Sequence, residues 1–235
     1  VEHAKSIDAL DVNTRRAIAV VTQEIGDALL DLGEFSRARG EFEDALDMKQ
    51  QLHEEDPSST STRDVTTALV RVGDTLQREK LFDEAIDHFE RALELRRLLF
   101  VDPTDRRARR DIAMACFFLG RAHSEAGAHE AALVPLTEAV TLGLELCGED
   151  QTDGRTLRDL PLTLGMLGNA YSELGDLDSW LSWCCEAAPV LEEGVRVSES
   201  RDAEVLQWRD YCRTKCEETG GCLLYTSPSP RDRSL

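Results

Sequence analysis

Four glycines recur at nearly constant spacing along the 235-residue chain, and their surroundings recur with them. They stand at steps of 47, 47 and 48 residues and are Gly26, Gly73, Gly120 and Gly168. Sixteen residues after them stand Phe42, Phe89, Leu136 and Cys184, and nineteen after them stand Ala45, Ala92, Ala139 and Ala187. A sustained period of this length is typical of arrays in which one supersecondary unit stacks on the next. The spacing therefore predicts four copies of one structural unit.

Each copy carries two apolar stripes at helical spacing. In the second copy they are Val65, Leu69, Val72 and Leu76, followed by Ala85, Phe89, Ala92 and Leu93. Residues three or four apart share one face of a helix, so each copy is predicted to be a pair of amphipathic helices. The residue twelve after the glycine is an alanine in three copies and Trp180 in the fourth. We expect the glycine and the small residue to let the two helices approach closely, with the bulky residue at sixteen filling the gap beyond.

A glycine also stands where the first helix of a pair should end. Gly33, Gly127 and Gly175 occupy this position in three copies, and Lys80 occupies it in the second. Glycine adopts the left-handed backbone conformation of a helix C-terminal turn without steric cost. The pattern predicts this turn in every copy, including the one that contains Lys80.

These signals divide the chain into repeat units. Asp56-Pro57 and Asp102-Pro103 are expected to close second helices, because the residue before proline is pushed away from helical angles. Trp180 and Cys184 replace an alanine and an aromatic residue, so we interpret the fourth copy as degenerate, either repacked or interrupted by function. The predicted segments are the end of a preceding repeat helix (1–11), three units (12–56, 57–102 and 103–150), the degenerate unit (151–199), the first helix of a truncated unit (200–221) and a disordered tail (222–235).

The tail has an unusual sequence. Residues 222–232 read CLLYTSPSPRD, which resembles a translated sequencing adaptor. The alternative is a Ser/Pro-rich linker, and we assign no function to this segment.

The spacing around each glycine resembles the tetratricopeptide repeat family. Its signature of Leu-Gly, aromatic, Ala, aromatic and Ala corresponds in the second copy to Val72-Gly73, Leu76, Ala85, Phe89 and Ala92. The likeness covers residues 12–199, with a period longer than the usual 34. The resemblance implies an all-α fold, a right-handed α-solenoid of stacked antiparallel helix pairs, whose first helices line a concave groove that binds peptides or helices.

The same register indicates which first-helix residues face that groove. Family members that clamp the terminal carboxylate of chaperone tails use Lys, Arg and Asn at such positions, and only Asn169 matches one of them. We therefore expect a protein or peptide partner of basic or mixed charge, against the alternative that these residues are merely solvated. The candidate partner-binding residues are Gln23, Asp27, Asp31, Asp74, Gln77, Arg78, Arg121, Ser124, Glu125, Asn169, Ser172 and Glu173.

The net charge of −19 disfavours binding to nucleic acid or to an anionic membrane, since both require a basic surface. No stretch approaches the roughly 20 apolar residues that span a bilayer. The seven cysteines lack the spacing of a disulfide framework, so we expect free thiols and a cytoplasmic location.

Catalytic and cofactor motifs are missing from the sequence. It contains no GxxxxGK phosphate loop, HExxH, GxSxG or kinase HRD and DFG set. His123 and His129 lack further ligands for a metal site. The cysteine pairs 184–185 and 212/216, and the tryptophans 180, 183 and 208, are interpreted as packing residues. We expect a non-catalytic interaction scaffold without cofactors, or alternatively the regulatory segment of a larger signalling enzyme such as a kinase or protease.

Overall fold

The structure, a computed structural model, describes residues 10–198 and 200–218. Within these ranges the chain forms helices joined by short connections, and it contains no strand. The helices are α1 (Val12–Asp31), α2 (Phe35–Glu55), α3 (Ser59–Arg78), α4 (Phe82–Leu99), α5 (Arg106–Glu125), α6 (His129–Glu149), α7 (Gly154–Leu174), α8 (Leu177–Ser198) and α9 (Ala203–Glu218). The all-α prediction is confirmed. The predicted tail (222–235) lies outside the described residues, as do residues 1–9 of the predicted preceding helix.

The chain divides between Pro103 and Thr104 into two compact units. In the first unit, α1 packs against α2, α2 against α3, and α3 against α4. In the second unit each helix from α5 to α9 packs against the next in the same way. Each unit is therefore a stack of helical hairpins, the arrangement of an α-solenoid. The predicted right-handed superhelix stays a prediction.

The four hairpin turns share one backbone conformation. Gly33, Gly127 and Gly175 have φ values of +76°, +79° and +72°, and Lys80 has a φ of +64°. In the turn of the second hairpin, the Leu81 N–H donates to the Leu76 carbonyl at 2.9 Å, closing the six-residue hydrogen bond of a Schellman motif. The predicted turn is confirmed, and lysine pays the steric cost of a left-handed residue that glycine avoids.

The repeating glycines lie where the two helices of a hairpin pack tightly against each other. In the first unit, a Cβ added to Gly73 would lie 2.6 Å from Cε1 of Phe89, and one added to Gly26 would lie 2.7 Å from Cε1 of Phe42. Both rings are fully buried. In the second unit a Cβ on Gly120 would collide with the side chain of Leu136. The bulky residue at position sixteen thus fills the space that the glycine leaves, as predicted.

The fourth hairpin achieves the same packing with a different residue. A Cβ on Gly168 would lie 2.8 Å from Cζ2 of Trp180, which stands twelve residues after the glycine and not sixteen. Cys184, at the usual position of the bulky residue, is fully buried. The degenerate copy is therefore repacked around one large ring.

Helix α6 is more apolar than we expected. Among the described residues it is the one helix long and apolar enough to cross a membrane, with a mean hydropathy of 1.4 over an 18-residue window. Our expectation that no stretch approaches spanning length was wrong on this point. Half of that window is buried, because α6 packs between α5 and α7, and a core helix satisfies the same criterion.

In each unit, a bidentate ion pair joins the two helices of one hairpin at its open end. Arg15 donates to both carboxylate oxygens of Glu55, and Arg109 donates to both of Glu149. Hydrogen bonds from Arg109, helped by its charge, lower the pKa of the Glu149 carboxyl, and Arg15 lowers the pKa of Glu55 in the same way. These pairs join the start of a first helix to the end of its second helix.

Candidate functional site

The first helices of the first unit are joined by a polar contact. Arg71 on α3 places Nη1 3.5 Å from Oδ1 of Asp27 on α1. Gln23, one turn before Asp27, accepts a hydrogen bond from Nζ of Lys49 on α2. Of the predicted partner-binding residues, Asp27 therefore joins α1 to α3, and Gln23 joins α1 to α2.

The other four predicted residues of the first unit differ in exposure. Asp31 and Arg78 are exposed near the ends of α1 and α3. Asp74 is only 9% exposed and accepts a hydrogen bond from Arg78 Nε at 3.2 Å, and Gln77 is 4% exposed. Asp31 and Arg78 are thus open to a partner, whereas Asp74 and Gln77 are nearly covered by protein.

Three of the predicted residues lie near the end of α5 in the second unit. The guanidinium of Arg121 stacks over Phe117 and Phe118, with Cζ 5.7 and 5.1 Å from the ring centroids. Its Nε lies 4.0 Å from Oε1 of Glu125, which is exposed, and Ser124 is half-buried. The ring contacts hold the cation against the helix, so Arg121 presents a fixed charge beside an exposed carboxylate.

The remaining three predicted residues are exposed together on α7. Asn169, Ser172 and Glu173 are spaced three and four residues apart and therefore share one face. Helices α5 and α7 contact each other, and Arg110 on α5 donates from Nη2 to Oδ2 of Asp159 on α7 at 2.6 Å. In the second unit, as in the first, an ion pair thus joins the first helices of consecutive hairpins.

A polar pocket opens in the first unit between α1, α2 and α3. Its volume is about 180 Å³. At its wall lies Lys49, which is 7% exposed, and burial lowers the pKa of its ammonium group. Arg16 and Asp64, both half-buried, form no hydrogen bond or ion pair with any residue that the structure describes. The lining residues are Arg16, Ala19, Val20, Gln23, Lys49, Leu52, Ser61, Asp64 and Thr67.

The equivalent place in the second unit is almost filled. Its cavity measures only about 20 Å³. Arg110 and Asp159 stand at the repeat positions of Arg16 and Asp64, but they form an ion pair across the opening. Gly143 stands at the repeat position of Lys49. The two units therefore differ at this position, one being open and charged and the other closed.

Comparison with known proteins agrees with this packing, because residues 64–145 match the tetratricopeptide repeat model. These residues are tetratricopeptide repeats. No curated protein matches the chain. Among solved structures, BtubC (BKLC) from P. vanneervenii is similar with a TM-score of 0.57 and 16% identity, covering 98% of this chain and 90% of that one. The apo form of RapI also has a TM-score of 0.57, with 13% identity over 89% of this chain and 61% of RapI. Identities this low show a shared fold alone.

The tetratricopeptide repeat signature did not point to the pocket, because its residues encode how helices pack. A second recurring pattern could have done so. An Arg-Asp pair recurs at steps of 47 and 48 residues, at 63–64, 110–111 and 158–159, and the first copy has Arg16 followed by alanine. Lys49 also interrupts the apolar stripe of α2, between buried Leu46 and Leu52. A charged residue inside a core stripe is a signal that we did not use.

Most of the described cysteines lie in packed interiors between the helices. Burial raises the pKa of the Cys147 thiol to about 12. The pKa of Cys184 is also raised, chiefly by its hydrogen bond with Cys212 on α9, and both thiols are fully buried. Within residues 10–198 and 200–218, no group of three or more His, Cys, Asp or Glu side chains is placed to hold a metal ion.

Proposed function

We propose that this chain is a non-catalytic scaffold that binds a peptide or helix of a protein partner on the first-helix faces of its tetratricopeptide repeats. One observation carries the proposal: in both units an ion pair links neighbouring first helices, Asp27 with Arg71 and Arg110 with Asp159. Each unit therefore presents adjacent first helices as one polar surface, the kind of surface on which stacked repeats bind partners.

The charges on these faces favour a partner of basic or mixed charge. Asp31, Glu125 and Glu173 are exposed at the ends of first helices, and Arg78 adds a cation in the first unit. Together with the net charge of −19, this argues against nucleic acid and anionic membranes as partners. We place the scaffold in the cytoplasm, in keeping with its free thiols.

The same surface suits the alternative, a regulatory repeat segment within a larger signalling enzyme. Tetratricopeptide repeats would then bind a partner or another segment of that enzyme. Recovery of the flanking reading frame separates the two, because a kinase or protease signature beside the repeats would favour the alternative.

A peptide-display selection against the full chain tests the proposal. A library of random 12-residue peptides should yield sequences rich in Lys or Arg that bind the chain in a 1:1 ratio by calorimetry, with affinity that falls as salt rises. Failure to enrich any peptide above an empty-surface control, or enrichment of peptides whose binding is insensitive to salt, would contradict it.

A further inference from the structure

The pocket of the first unit contains a buried cation, Lys49, that Asp64 and Asp27 attract without forming an ion pair with it. Lys49 donates to the amide oxygen of Gln23, and it forms no ion pair with any described residue. An ammonium group has three donors, so two of them stay available to the pocket. Removing a charge from water is costly unless a counter-charge is supplied, and an amide oxygen supplies only part of that compensation. Arg71 also repels Lys49, and burial outweighs the attraction from the two aspartates, so the site leaves room for a directly bound anion.

The charges around Lys49 define what could complete it. Arg16 contributes a second cation and Asp64 one anion, and all three line the same 180 Å³ pocket. The ionised lining residues thus sum to one positive charge. In the second unit the corresponding arginine and aspartate neutralise each other and close the gap. In the first unit they stay apart, which leaves Arg16 able to donate to an incoming group.

The size of the pocket limits the ligand to about one side chain. Water occupies about 30 Å³ per molecule in the liquid, so 180 Å³ holds only a few waters or one short side chain in their place. Two cationic groups against one carboxylate disfavour a lysine or arginine of the partner. They favour a carboxylate, which both an ammonium and a guanidinium recognise through charge-assisted hydrogen bonds.

We propose that this pocket takes the side-chain carboxylate of an aspartate or glutamate in the bound peptide, with Lys49 and Arg16 as donors. The inference rests on the proposed function, since it makes the partner one of mixed charge: basic residues meet the exposed carboxylates of the first-helix face, and one acidic residue enters the pocket. Lys49 and Arg16 thereby become specificity-determining residues.

The first experiment uses a probe that carries only the proposed group. The full chain, labelled with ¹⁵N, is titrated with N-acetyl-glutamate N-methylamide and with its neutral glutamine counterpart. We expect saturable shifts of amides in α1, α2 and α3 with the glutamate probe, and at least fivefold weaker binding of the glutamine probe. Equal affinities for the two probes would overturn the inference.

Variants identify the donors. Lys49→Met keeps an unbranched side chain of similar size and removes the charge, and it should abolish the glutamate-specific shifts. Arg16→Gln, at a half-buried position, gives an independent reading if the first variant unfolds, and it should weaken binding at least threefold. Arg107→Met removes the same charge from an exposed position on α5 and should bind as the wild type does. Shifts that survive in both pocket variants would refute the assignment.

Two further arms separate the sources of carboxylate and the two proposals. Acetate should bind more weakly than the glutamate probe, and equal affinity would overturn the assignment to a peptide side chain.

In each display-selected peptide, every glutamate is then changed in turn to glutamine. At one position the change should weaken binding of the peptide to the wild-type chain, and the same change should cause no further loss of binding to the Lys49→Met variant. If peptides are selected but no such position exists, the inference fails while the scaffold proposal stands. If no peptide is selected, the scaffold proposal fails and the assignment of the carboxylate to a bound peptide fails with it, even when the glutamate probe binds the pocket.

Discussion

The ring of Trp180 lies against Gly168, in the space that a phenylalanine or leucine from four residues further along fills in the other hairpins. Its indole Nε1 also donates to the Tyr211 hydroxyl at 3.3 Å, and it contacts the ring of Trp208 edge-on, with centroids 6.2 Å apart. Both partners belong to α9. The change of position therefore lets one side chain fill the interhelical gap of the fourth hairpin and contact the next helix, which explains why the copy departs from the repeat pattern.

The close approach at Gly73 should make a single methyl group destabilising. Gly73→Ala would place Cβ 2.6 Å from the fully buried ring of Phe89. Overpacking costs about 1–3 kcal/mol, whereas the higher helix propensity of alanine contributes about 1 kcal/mol, so we expect a net loss of up to about 2 kcal/mol in the free energy of unfolding. Thermal and urea unfolding of the full chain measure it.

Gly40 offers the matched control for that change. It lies within α2, is exposed, and has no atom within 4 Å of an added Cβ. Gly40→Ala should therefore stabilise the protein by up to about 1 kcal/mol, the difference in helix propensity. If Gly40→Ala and Gly73→Ala change the free energy of unfolding equally, the predicted collision with Phe89 does not determine the effect of Gly73→Ala.

The left-handed turn at Lys80 should accept glycine with a gain in stability. A non-glycine residue at φ +64° bears a steric cost, and glycine removes it while adding freedom to the unfolded chain. Lys80→Gly is expected to raise the free energy of unfolding by up to about 1 kcal/mol and to raise Tm. The reverse change at an equivalent turn, Gly127→Ala, should lower Tm, and a Tm change of the same sign in both variants would contradict the shared turn geometry.

The ion pair of Arg109 and Glu149 should make part of the stability depend on pH. The pKa of Glu149 is lowered in the folded state, so its contribution is complete above the unfolded pKa of about 4.3 and is lost as the pH falls through the lowered value. Glu149→Gln should lower Tm at pH 7, and its melting curve should converge with that of the wild type in acid.

Glu192 supplies the comparison for this experiment, because it is exposed on α8 and forms no ion pair with the described residues. Glu192→Gln should leave the dependence of Tm on pH as it is in the wild type. Parallel curves for the wild type and Glu149→Gln from pH 7 to pH 3 would argue that the pair contributes nothing.

Much of the helical packing could be predicted from sequence because each signal was local and repeated. The glycines, the bulky residue sixteen positions later and the turn residues recur, and the same short-range geometry recurs with them. Trp180 was flagged as a departure, but its new packing depends on Tyr211 and Trp208 of a later helix, which no repeat pattern encodes. Lys49 was missed because its role arises from the approach of three helices, which places Asp64 and Asp27 near it but outside ion-pair distance. The division after Pro103 depends on which helices contact each other in the folded chain, and the sequence alone does not show those contacts.

The exposed acid at the end of α1 should tune partner affinity through charge. Asp31→Lys is expected to weaken a basic display-selected peptide about two- to fivefold at low salt, because an exposed charge contributes up to about 1 kcal/mol. It should also reduce the dependence of affinity on salt. Asp47→Lys makes the same charge change at an exposed position on the second helix α2 and should alter affinity less. Equal weakening by both variants would show an effect of net charge and not of the first-helix face.

The location of a bound peptide tests the central claim most directly. A photo-crosslinking amino acid is placed at exposed first-helix positions, Asp31 and Asn169, and at exposed second-helix positions, Asp47 and Glu192. A display-selected peptide should crosslink to one or both first-helix positions and to neither second-helix position. Crosslinking confined to Asp47 or Glu192 would contradict the assignment of the first-helix faces as the partner-binding surface.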